Sequence, residues 1–174
     1  MKGMRILAVY DDPYWKSETI ETIRFTSRVF LKRDEHYAFL KIVGEDGFGK
    51  RNHYETLGGG VEDNETFVET AIREVAEEMG AVASNYQCIG AVIDRLNPIK
   101  RLTYSVFFVA DFESYLEETN RTLEEKILIE SIDWLSSNEV LENLKVGENP
   151  IDAFVHRRDL TAFLALLEDM NNRT

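Results

Sequence analysis

The sequence has a single cysteine, Cys88, and only three prolines in 174 residues. One thiol excludes an internal disulfide, and its place in an apolar, strand-like segment predicts a buried small hydrophobe in a reducing compartment. No apolar run approaches the ~20 residues that a helix needs to cross a bilayer. The N-terminal apolar run is short and precedes two aspartates, so we expect no signal peptide and a cytoplasmic protein.

Positive charge is also scarce, because 20 lysines and arginines face 32 aspartates and glutamates, for a net charge of −12. This balance disfavours general binding to nucleic acid or to an anionic membrane, and we expect neither as a partner. It would also repel a phosphate-rich substrate unless a metal ion supplied local positive charge. The sequence is compatible with a homodimer but does not decide the oligomeric state.

The length and the order of the predicted elements favour one α/β (α+β) domain over residues 1–174. Apolar patterns predict strands over residues 4–10, 22–32, 36–43, 86–94, 102–112 and 127–135. Helices are predicted over residues 66–79, directly after Ser136 or Ser137, and over residues 151–170. Residues 44–50 are predicted to be a flexible turn, and residues 113–126 a loop. This order suggests a mixed sheet between helices.

The predicted helix over residues 66–79 has an unusual distribution of charge. At ~100° per residue, one apolar stripe faces the core and contains Val68, Ala71, Ile72, Val75 and Met79. Glu74, Glu77 and Glu78 share another face in the last turns, where mutual repulsion and the helix dipole both disfavour them. A divalent cation such as Mg²⁺ or Mn²⁺ would remove this conflict, because such ions prefer carboxylate ligands.

A less specific explanation of this acidic face is a solvated surface on an acidic protein. Two neighbouring features count against it. The glycines at residues 58–60 permit a close approach of the backbone to the helix. Arg73 is placed to reach Glu69 or Glu77 along the helix, and so to orient part of the cluster.

Residues 59–81 resemble the Nudix box, G-x5-E-x7-R-E-U-x-E-E-x-G-U, in which U is a bulky apolar residue. Every fixed position is matched, by Gly59, Glu65, Arg73, Glu74, Val75, Glu77, Glu78 and Gly80. The last U position holds Ala81, which is smaller than usual, and Leu57 stands where the family often has proline. The resemblance implies a Nudix-type α/β/α sandwich with a mixed sheet.

The resemblance also implies a metal site and a catalytic set. Glu74, Glu77 and Glu78 would bind Mg²⁺ or Mn²⁺, and a backbone carbonyl of the glycine run, that of Gly58, would add a ligand. Arg73 would orient the glutamates and belongs with them to the implied catalytic residues.

Other box residues would support this site. Gly59, Glu62 and Glu65 would brace the loop and the helix. The base that activates water varies within the family, so it is left open between a box glutamate and three later carboxylates, Glu124, Glu125 and Glu130.

Two arginines of the strand predicted over residues 22–32 are candidates for binding substrate. Arg24 and Arg28 share its polar face, whereas the face predicted to be buried holds Ile23, Phe25, Val29 and Leu31. In the family this strand often borders the nucleotide pocket, so one arginine would contact phosphate. The alternative is an exposed strand face.

Six other residues are considered for the site, and a structural role is the alternative for each. Stacking on a base or pairing with phosphate is considered for Trp15, Tyr104 and Arg101. Among the histidines, His53 is adjacent to the glycine run and would face the site, whereas His36 is interpreted as a turn residue and His156 as a helix-surface residue.

The resemblance implies hydrolysis of a pyrophosphate bond in a nucleoside diphosphate linked to another group. Nucleotide sugars, ADP-ribose, nucleoside triphosphates and dinucleoside polyphosphates remain open as substrates. The alternative from another class is a non-catalytic Nudix-like module that senses a nucleotide. Such modules usually lose box glutamates, and this chain keeps them, so the sequence favours an enzyme.

Overall fold

The computed structural model describes residues 3–145, 147 and 149–173. The strands are β1 (Ile6–Tyr10), β2 (Thr22–Arg33), β3 (His36–Asp46), β4 (Gly49–Gly60), β5 (Ala81–Leu96), β6 (Arg101–Tyr115) and β7 (Ile129–Ser136). The helices are α1 (Phe67–Glu74), α2 (Leu123–Leu128), α3 (Ser137–Leu144) and α4 (Pro150–Asn171). A π-helical turn (Val75–Met79) continues α1, and a 3₁₀ turn (Asn97–Ile99) joins β5 to β6. None of the described helices is both long and apolar enough to span a membrane.

The seven strands form one mixed sheet in the order β1-β5-β6-β2-β4-β3-β7. On one face, Ala71 of α1 and Val75 and Met79 of the π-helical turn pack against residues such as Val29 of β2. On the other face, helices α3 and α4 cover an aromatic layer that includes Phe163 of α4. The chain therefore has the predicted α+β class, with the mixed sheet between helices.

Three connections are more ordered than the sequence predicts. Strands β3 and β4 stay paired as far as Asp46 and Gly49, so the turn predicted over residues 44–50 shrinks to two residues. Strand β4 continues through Gly60, so the glycine run is strand rather than loop. Helix α2 interrupts the loop predicted over residues 113–126, because Thr122 and Glu125 form a capping box at its start.

Two predictions of burial are wrong. Ile23 and Phe25 of β2 are 60% and 49% exposed, because they lie in the first four residues of the strand, before its buried part begins at Thr26. Cys88 is exposed, and the β5–β6 register shifts on both sides of it. Such irregularities turn side chains away from the face that alternation assigns to them.

The inner edge of β4 is covered by side chains of α4 instead of by another strand. Asp152, His156 and Asp159 lie on one side of the helix, and alternate backbone N–H groups of β4 point towards them. The three bonds run from Asn52 N to Asp152 Oδ2 (3.2 Å), from Tyr54 N to His156 Nε2 (3.2 Å) and from Thr56 N to Asp159 Oδ2 (2.9 Å). His156 is therefore buried, and its interpretation as a helix-surface residue is wrong, because the sequence does not show that a strand edge needs acceptors there.

Asp159 tests this edge. It is fully buried and also accepts a hydrogen bond from Arg158 Nε at 2.7 Å, so Asp159→Ala leaves a buried N–H group without its acceptor and removes the nearest carboxylate from the buried Arg158. We expect a loss of about 3–5 kcal/mol of unfolding free energy. The matched control on the same helix is Asp169→Ala, which removes an exposed pair with Arg5 and should cost about 0.2–1 kcal/mol. Equal losses in urea melts would contradict the role given to the β4 edge.

Candidate active site

The glycine run, residues 58–60, lies where β4 meets both β2 and the box helix, which is α1 together with the π-helical turn. Gly58 has a φ of +140°, and a Cβ atom there would collide with the Ser27 carbonyl oxygen on β2. A Cβ atom on Gly59 would instead collide with the carboxylate of Glu74. The two glycines thus permit the close approach of strand, strand and carboxylate on which the site depends.

The box helix buries glutamate rather than the whole predicted apolar stripe. Glu74 and Glu78 are only 6% and 5% exposed, whereas Val68 and Ile72 are 37% and 50% exposed. The predicted stripe is therefore wrong at Val68 and Ile72. After Glu74 the helix widens into the π-helical turn, so a rotation of ~100° per residue no longer describes which side chains face inward.

The buried glutamates have few compensating contacts. Gly58 N–H donates to Glu78 Oε2 at 2.8 Å. Burial first, and the Glu74 carboxylate second, raise the pKa of Glu78 well above its usual value, against the opposing effects of that N–H group and Arg28. Burial also raises the pKa of Glu74, although Arg73 opposes it. Two acidic groups that resist ionisation therefore lie side by side.

Arg73 joins the box helix to the glycine run. Its Nη1 donates to Glu74 Oε1 at 2.8 Å and to Glu77 Oε2 at 2.9 Å, and its Nη2 donates to the Gly60 carbonyl at 3.0 Å. Its Nε donates to Glu65 Oε1 at 2.7 Å, and this bond is the main reason that the pKa of Glu65 falls to about 2. The guanidinium is therefore placed to set the positions of several box carboxylates at once.

Glu62 and Glu65 lie on the loop before α1. The Glu62 N–H group donates to Glu65 Oε2 at 3.2 Å, and the Glu62 carboxylate is mostly exposed, 4.0 Å from Arg73. Glu65 also accepts a hydrogen bond from the Thr70 hydroxyl at 2.8 Å. These contacts connect the loop to the helix, and the supporting roles of Gly59, Glu62 and Glu65 stay predictions.

A third carboxylate comes from α2, far along the chain. One oxygen each of Glu74, Glu78 and Glu125 lies within 4.8 Å of the other two. Glu124 lines the adjoining cleft, and Glu130 is exposed at the start of β7. Of the three later carboxylates that the sequence left open, Glu125 is thus the one next to the buried glutamates. Glu77 is outside this group and contacts Arg73, so its role as a ligand stays a prediction, as does that of the Gly58 carbonyl.

The segment that carries Glu125 is held against the end of the box helix. Leu116 N–H donates to the Gly80 carbonyl at 2.6 Å, and Asn120 N–H donates to the Glu77 carbonyl at 3.1 Å. Arg121 Nε donates to the Glu78 carbonyl at 2.6 Å. These donors satisfy carbonyls that a helix end leaves without partners, and a cation there is favourable for the helix dipole. These hydrogen bonds hold the segment in the position that brings Glu125 beside Glu78.

The donor set fits a divalent cation. Three carboxylates supply the hard oxygen ligands that Mg²⁺ and Mn²⁺ prefer, and two of them are buried with raised pKa values. Buried like charges are stable only when something opposes them, and a cation at this point would do so.

A cleft of about 340 Å³ adjoins the carboxylates and is lined by charges of both signs, five arginines and six carboxylates. The arginines that line it are Arg24, Arg28, Arg51, Arg101 and Arg158. Arg28 donates to Glu55 at 2.6 Å, so it is not exposed as the sequence alternative supposed. Neither Arg24 nor Arg101 forms an ion pair with any described carboxylate. Burial first, then Arg28 and Arg101, lower the pKa of Arg24. Arg24 and Arg101 are therefore available to bind an anion in the cleft.

Sequence reasoning missed the residues that support the wall of this cleft. Burial alone would raise the pKa of Glu55, but Arg28, a hydrogen bond from His53 and Arg158 hold it well below its usual value. His53 is buried between Glu55 and Asp152, 3.1 Å and 2.9 Å away, so it supports the wall rather than facing the cleft. His36 is exposed at the start of β3, next to the turn, as predicted. No motif spacing marks Glu55 or Arg158, because they come together only when α4 packs on β4.

The remaining residues considered from the sequence lie apart from the carboxylates. Trp15 stacks nearly parallel to Phe154, at 6.5 Å between ring centroids. Tyr104 packs on the opposite face of the sheet from Arg24, among Phe25 and Phe67. Arg101, for which the sequence favours a structural role, is the one of the three that lines the cleft.

Comparison with known proteins agrees with this fold and site. The model of the NUDIX domain matches residues 23–157. A NUDIX hydrolase from Nitrosomonas europaea is 16% identical, with 79% of this chain and 86% of that chain covered at a TM-score of 0.62. An ADP compounds hydrolase is also 16% identical, with 86% and 74% covered at a TM-score of 0.65. A MutT NUDIX hydrolase from Burkholderia pseudomallei is 15% identical, with 79% and 98% covered at 0.58. No curated protein sequence matches significantly.

The chain belongs to the Nudix family, because the family's domain model matches well over half of its residues. Its class is that of a Nudix-type pyrophosphohydrolase. The members of this family generally use a divalent metal ion and act on small-molecule nucleotides. At these identities, the likeness to the solved structures shows the fold alone.

Gly59 and Gly60 provide a matched test of the site geometry. In Gly59→Ala the new methyl group displaces the Glu74 carboxylate, whereas in Gly60→Ala it meets only Arg24 at 3.6 Å, an ordinary contact. We expect Gly59→Ala to weaken Mn²⁺ binding at least tenfold in calorimetry, and Gly60→Ala to change it less than twofold. Equal affinities in the two variants would show that Glu74 does not bind the ion.

Glu78→Gln tests the charge conflict. Because the folded protein raises the pKa of Glu78, ionisation destabilises the metal-free fold as pH rises above about 4.3, the ordinary value for glutamate. Without metal at pH 7, the variant should melt at or above the wild-type temperature, and this advantage should disappear near pH 4. With Mn²⁺ at a hundredfold excess over Kd, the wild type should gain about 2.7 kcal/mol and the variant clearly less. Equal metal-induced shifts would mean that Glu78 is no ligand.

Proposed function

We propose that this protein is a divalent-metal-dependent hydrolase that cleaves a pyrophosphate bond in a nucleoside diphosphate linked to another group. The observation that carries the proposal is the convergence of Glu74, Glu78 and Glu125 at a cleft with two arginines that form no ion pair with the described carboxylates. Carboxylates for a cation and arginines for phosphate are the two things that a pyrophosphate substrate requires. One domain over residues 1–174 suffices for this arrangement in our proposal.

Each residue has a distinct task in this scheme. Glu74 and Glu78 hold Mg²⁺ or Mn²⁺, with Glu77 and the Gly58 carbonyl as further candidate ligands. When bound, such an ion supplies positive charge to the pyrophosphate and acidifies water. Arg73 keeps the box carboxylates in position.

The remaining tasks concern the attacking water and the phosphates. Glu125 is partly exposed beside the buried pair, so it is placed to take the proton of the attacking water. Arg24 and Arg101 bind phosphate oxygens, because they are the cleft cations without a carboxylate partner. Arg28 acts indirectly, since it is paired with Glu55.

A substrate panel tests the proposal. Its first substrate is ADP-ribose, because an ADP compounds hydrolase is among the similar structures. The other substrates are a nucleotide sugar, a nucleoside triphosphate and a dinucleoside polyphosphate. We expect turnover of at least one substrate with Mg²⁺ or Mn²⁺, no turnover in EDTA, and phosphorylated products on both sides of the cleaved bond. Turnover in EDTA would contradict metal dependence. Binding without turnover for every substrate would instead favour the sensor module.

Arg24→Gln is the variant for the same panel. Loss of a charged hydrogen bond to phosphate, worth about 1.5–3 kcal/mol, should lower kcat/KM tenfold to a hundredfold. The control is Arg33→Gln on the same strand, because Arg33 stacks on Trp134 at 4.0 Å and does not line the cleft. If both variants keep wild-type kcat/KM, Arg24 does not bind phosphate.

A further inference from the structure

The cleft extends from the carboxylates across the sheet to a second polar end on β5. Asp94 on β5, Thr103 on β6 and Arg24 on β2 lie in one row by strand register, and all three line the cleft. The strand order β5-β6-β2-β4 puts three strand spacings between Asp94 and Gly58. Gly58 pairs with Arg28, four residues along β2 from Arg24, so at ~4.8 Å per strand and ~3.3 Å per residue Asp94 lies roughly 20 Å along the sheet from Gly58.

Asp94 is a buried carboxylate with an unused acceptor. The residue is 8% exposed, and its Oδ2 has no hydrogen-bond partner among the described residues. Its Oδ1 is 3.5 Å from Arg157 Nη2, a long contact. Burial raises the pKa of Asp94, and Arg158 and Arg157 oppose that effect. Buried acceptors are rarely left unmatched, so an unpaired one at a cleft indicates a donor supplied from outside.

The surroundings of Asp94 combine arginines with apolar side chains. Leu96 and Phe154 line the same cleft, and the Arg157 guanidinium lies over the Phe154 ring, 5.1 Å from its centroid. Tyr14 and Trp15 also contact Phe154, at 5.8 Å and 6.5 Å between centroids, so Phe154 offers the cleft the edge of its ring. Apolar side chains beside one acceptor are suited to a neutral ring with hydrogen-bond donors.

The same features argue against other ligands. A phosphate would be repelled by the carboxylate, and Arg24 and Arg101 already offer it a better place. A metal ion would find one carboxylate next to Arg157, and the described residues offer it no further carboxylate cluster besides the one at Glu74, Glu78 and Glu125.

We propose that the Asp94 end of the cleft is the nucleoside subsite, in which Asp94 accepts hydrogen bonds from a pair of adjacent donors and the edge of Phe154 contacts the ring. This inference rests on the proposed function and names where the nucleoside of its substrate lies. Two parts of a nucleoside offer paired donors to a carboxylate, the ribose 2′,3′-diol and the N1–H/N2–H edge of guanine.

The test is binding of AMP, GMP, dAMP and dGMP in EDTA, measured by calorimetry for the wild type, Asp94→Asn and the control Asp111→Asn. Asp111 is exposed on β6, away from the cleft, so Asp111→Asn makes the same change of net charge without altering the cleft. We expect Asp94→Asn to weaken binding at least tenfold and Asp111→Asn less than twofold. If Asp94 binds the ribose diol, the substitution weakens the binding of AMP and GMP but not of dAMP and dGMP. If Asp94 binds the guanine edge, it weakens the binding of GMP and dGMP but not of AMP and dAMP.

If Asp94→Asn does not fold, Phe154→Leu still tests the proposal. We expect this variant to bind all four nucleotides more weakly than the wild type does. Three results would each overturn the subsite. The first is a folded Asp94→Asn variant that binds all four nucleotides with wild-type affinity, and the second is wild-type affinity in Phe154→Leu. The third is a wild-type protein that binds none of the nucleotides at millimolar concentration. The binding assay needs neither metal nor turnover. A protein that binds nucleotides through Asp94 but hydrolyses no substrate of the panel would therefore refute the proposed function and leave the subsite standing.

Discussion

The burial of two neighbouring glutamates beneath a glycine strand is the constraint on which the site depends. Glu74 and Glu78 share one side of the widened box helix and are almost fully buried. In a low-dielectric surrounding, two such groups do not ionise together without a compensating charge. Arg73 and the Gly58 N–H group supply part of that compensation, and Gly59 leaves the space. The divalent cation that we propose would supply the remaining part.

The rest of the cleft mixes arginines with carboxylates, and α4 accounts for part of that arrangement. The helix contributes Arg158 to the cleft wall, while its Asp159 and Asp152 bond the free edge of β4. Glu55 on that strand then pairs with Arg28 and stays ionised. The paired arginines stiffen the wall, and in our proposal Arg24 and Arg101, which form no ion pair with the described carboxylates, bind the substrate. A protein of net charge −12 thus places five arginines in the cleft where a phosphate would lie.

Much of the fold and the middle of the site could be predicted from the sequence, because both depend on local spacing. Glycines followed at fixed intervals by Glu65, Arg73 and Glu74 indicate the box, and alternating apolar residues indicate the strands. The assignment of inner and outer faces fails at Val68 and Ile72, because the residues that α1 buries are Thr70, Ala71 and Glu74, and two of these are polar.

Long-range contacts were beyond such reasoning. Glu125 meets Glu78 only because backbone carbonyls at the end of the box helix bind the segment from Leu116 to Arg121. Asp94 is an isolated aspartate in a strand, which from the sequence looks like any solvent-facing residue. Its burial follows from α4 lying over β5, and no local pattern records that packing.

The central claim is that Glu74 and Glu78 hold the ion, with Glu125 beside it. Anomalous scattering from crystals soaked in MnCl₂ tests it most directly, because it locates manganese without reference to turnover. We predict one principal peak within coordination distance of oxygens from Glu74 and Glu78. A principal peak on other carboxylates, or none at these two in a protein whose hydrolysis requires Mn²⁺, would contradict the account.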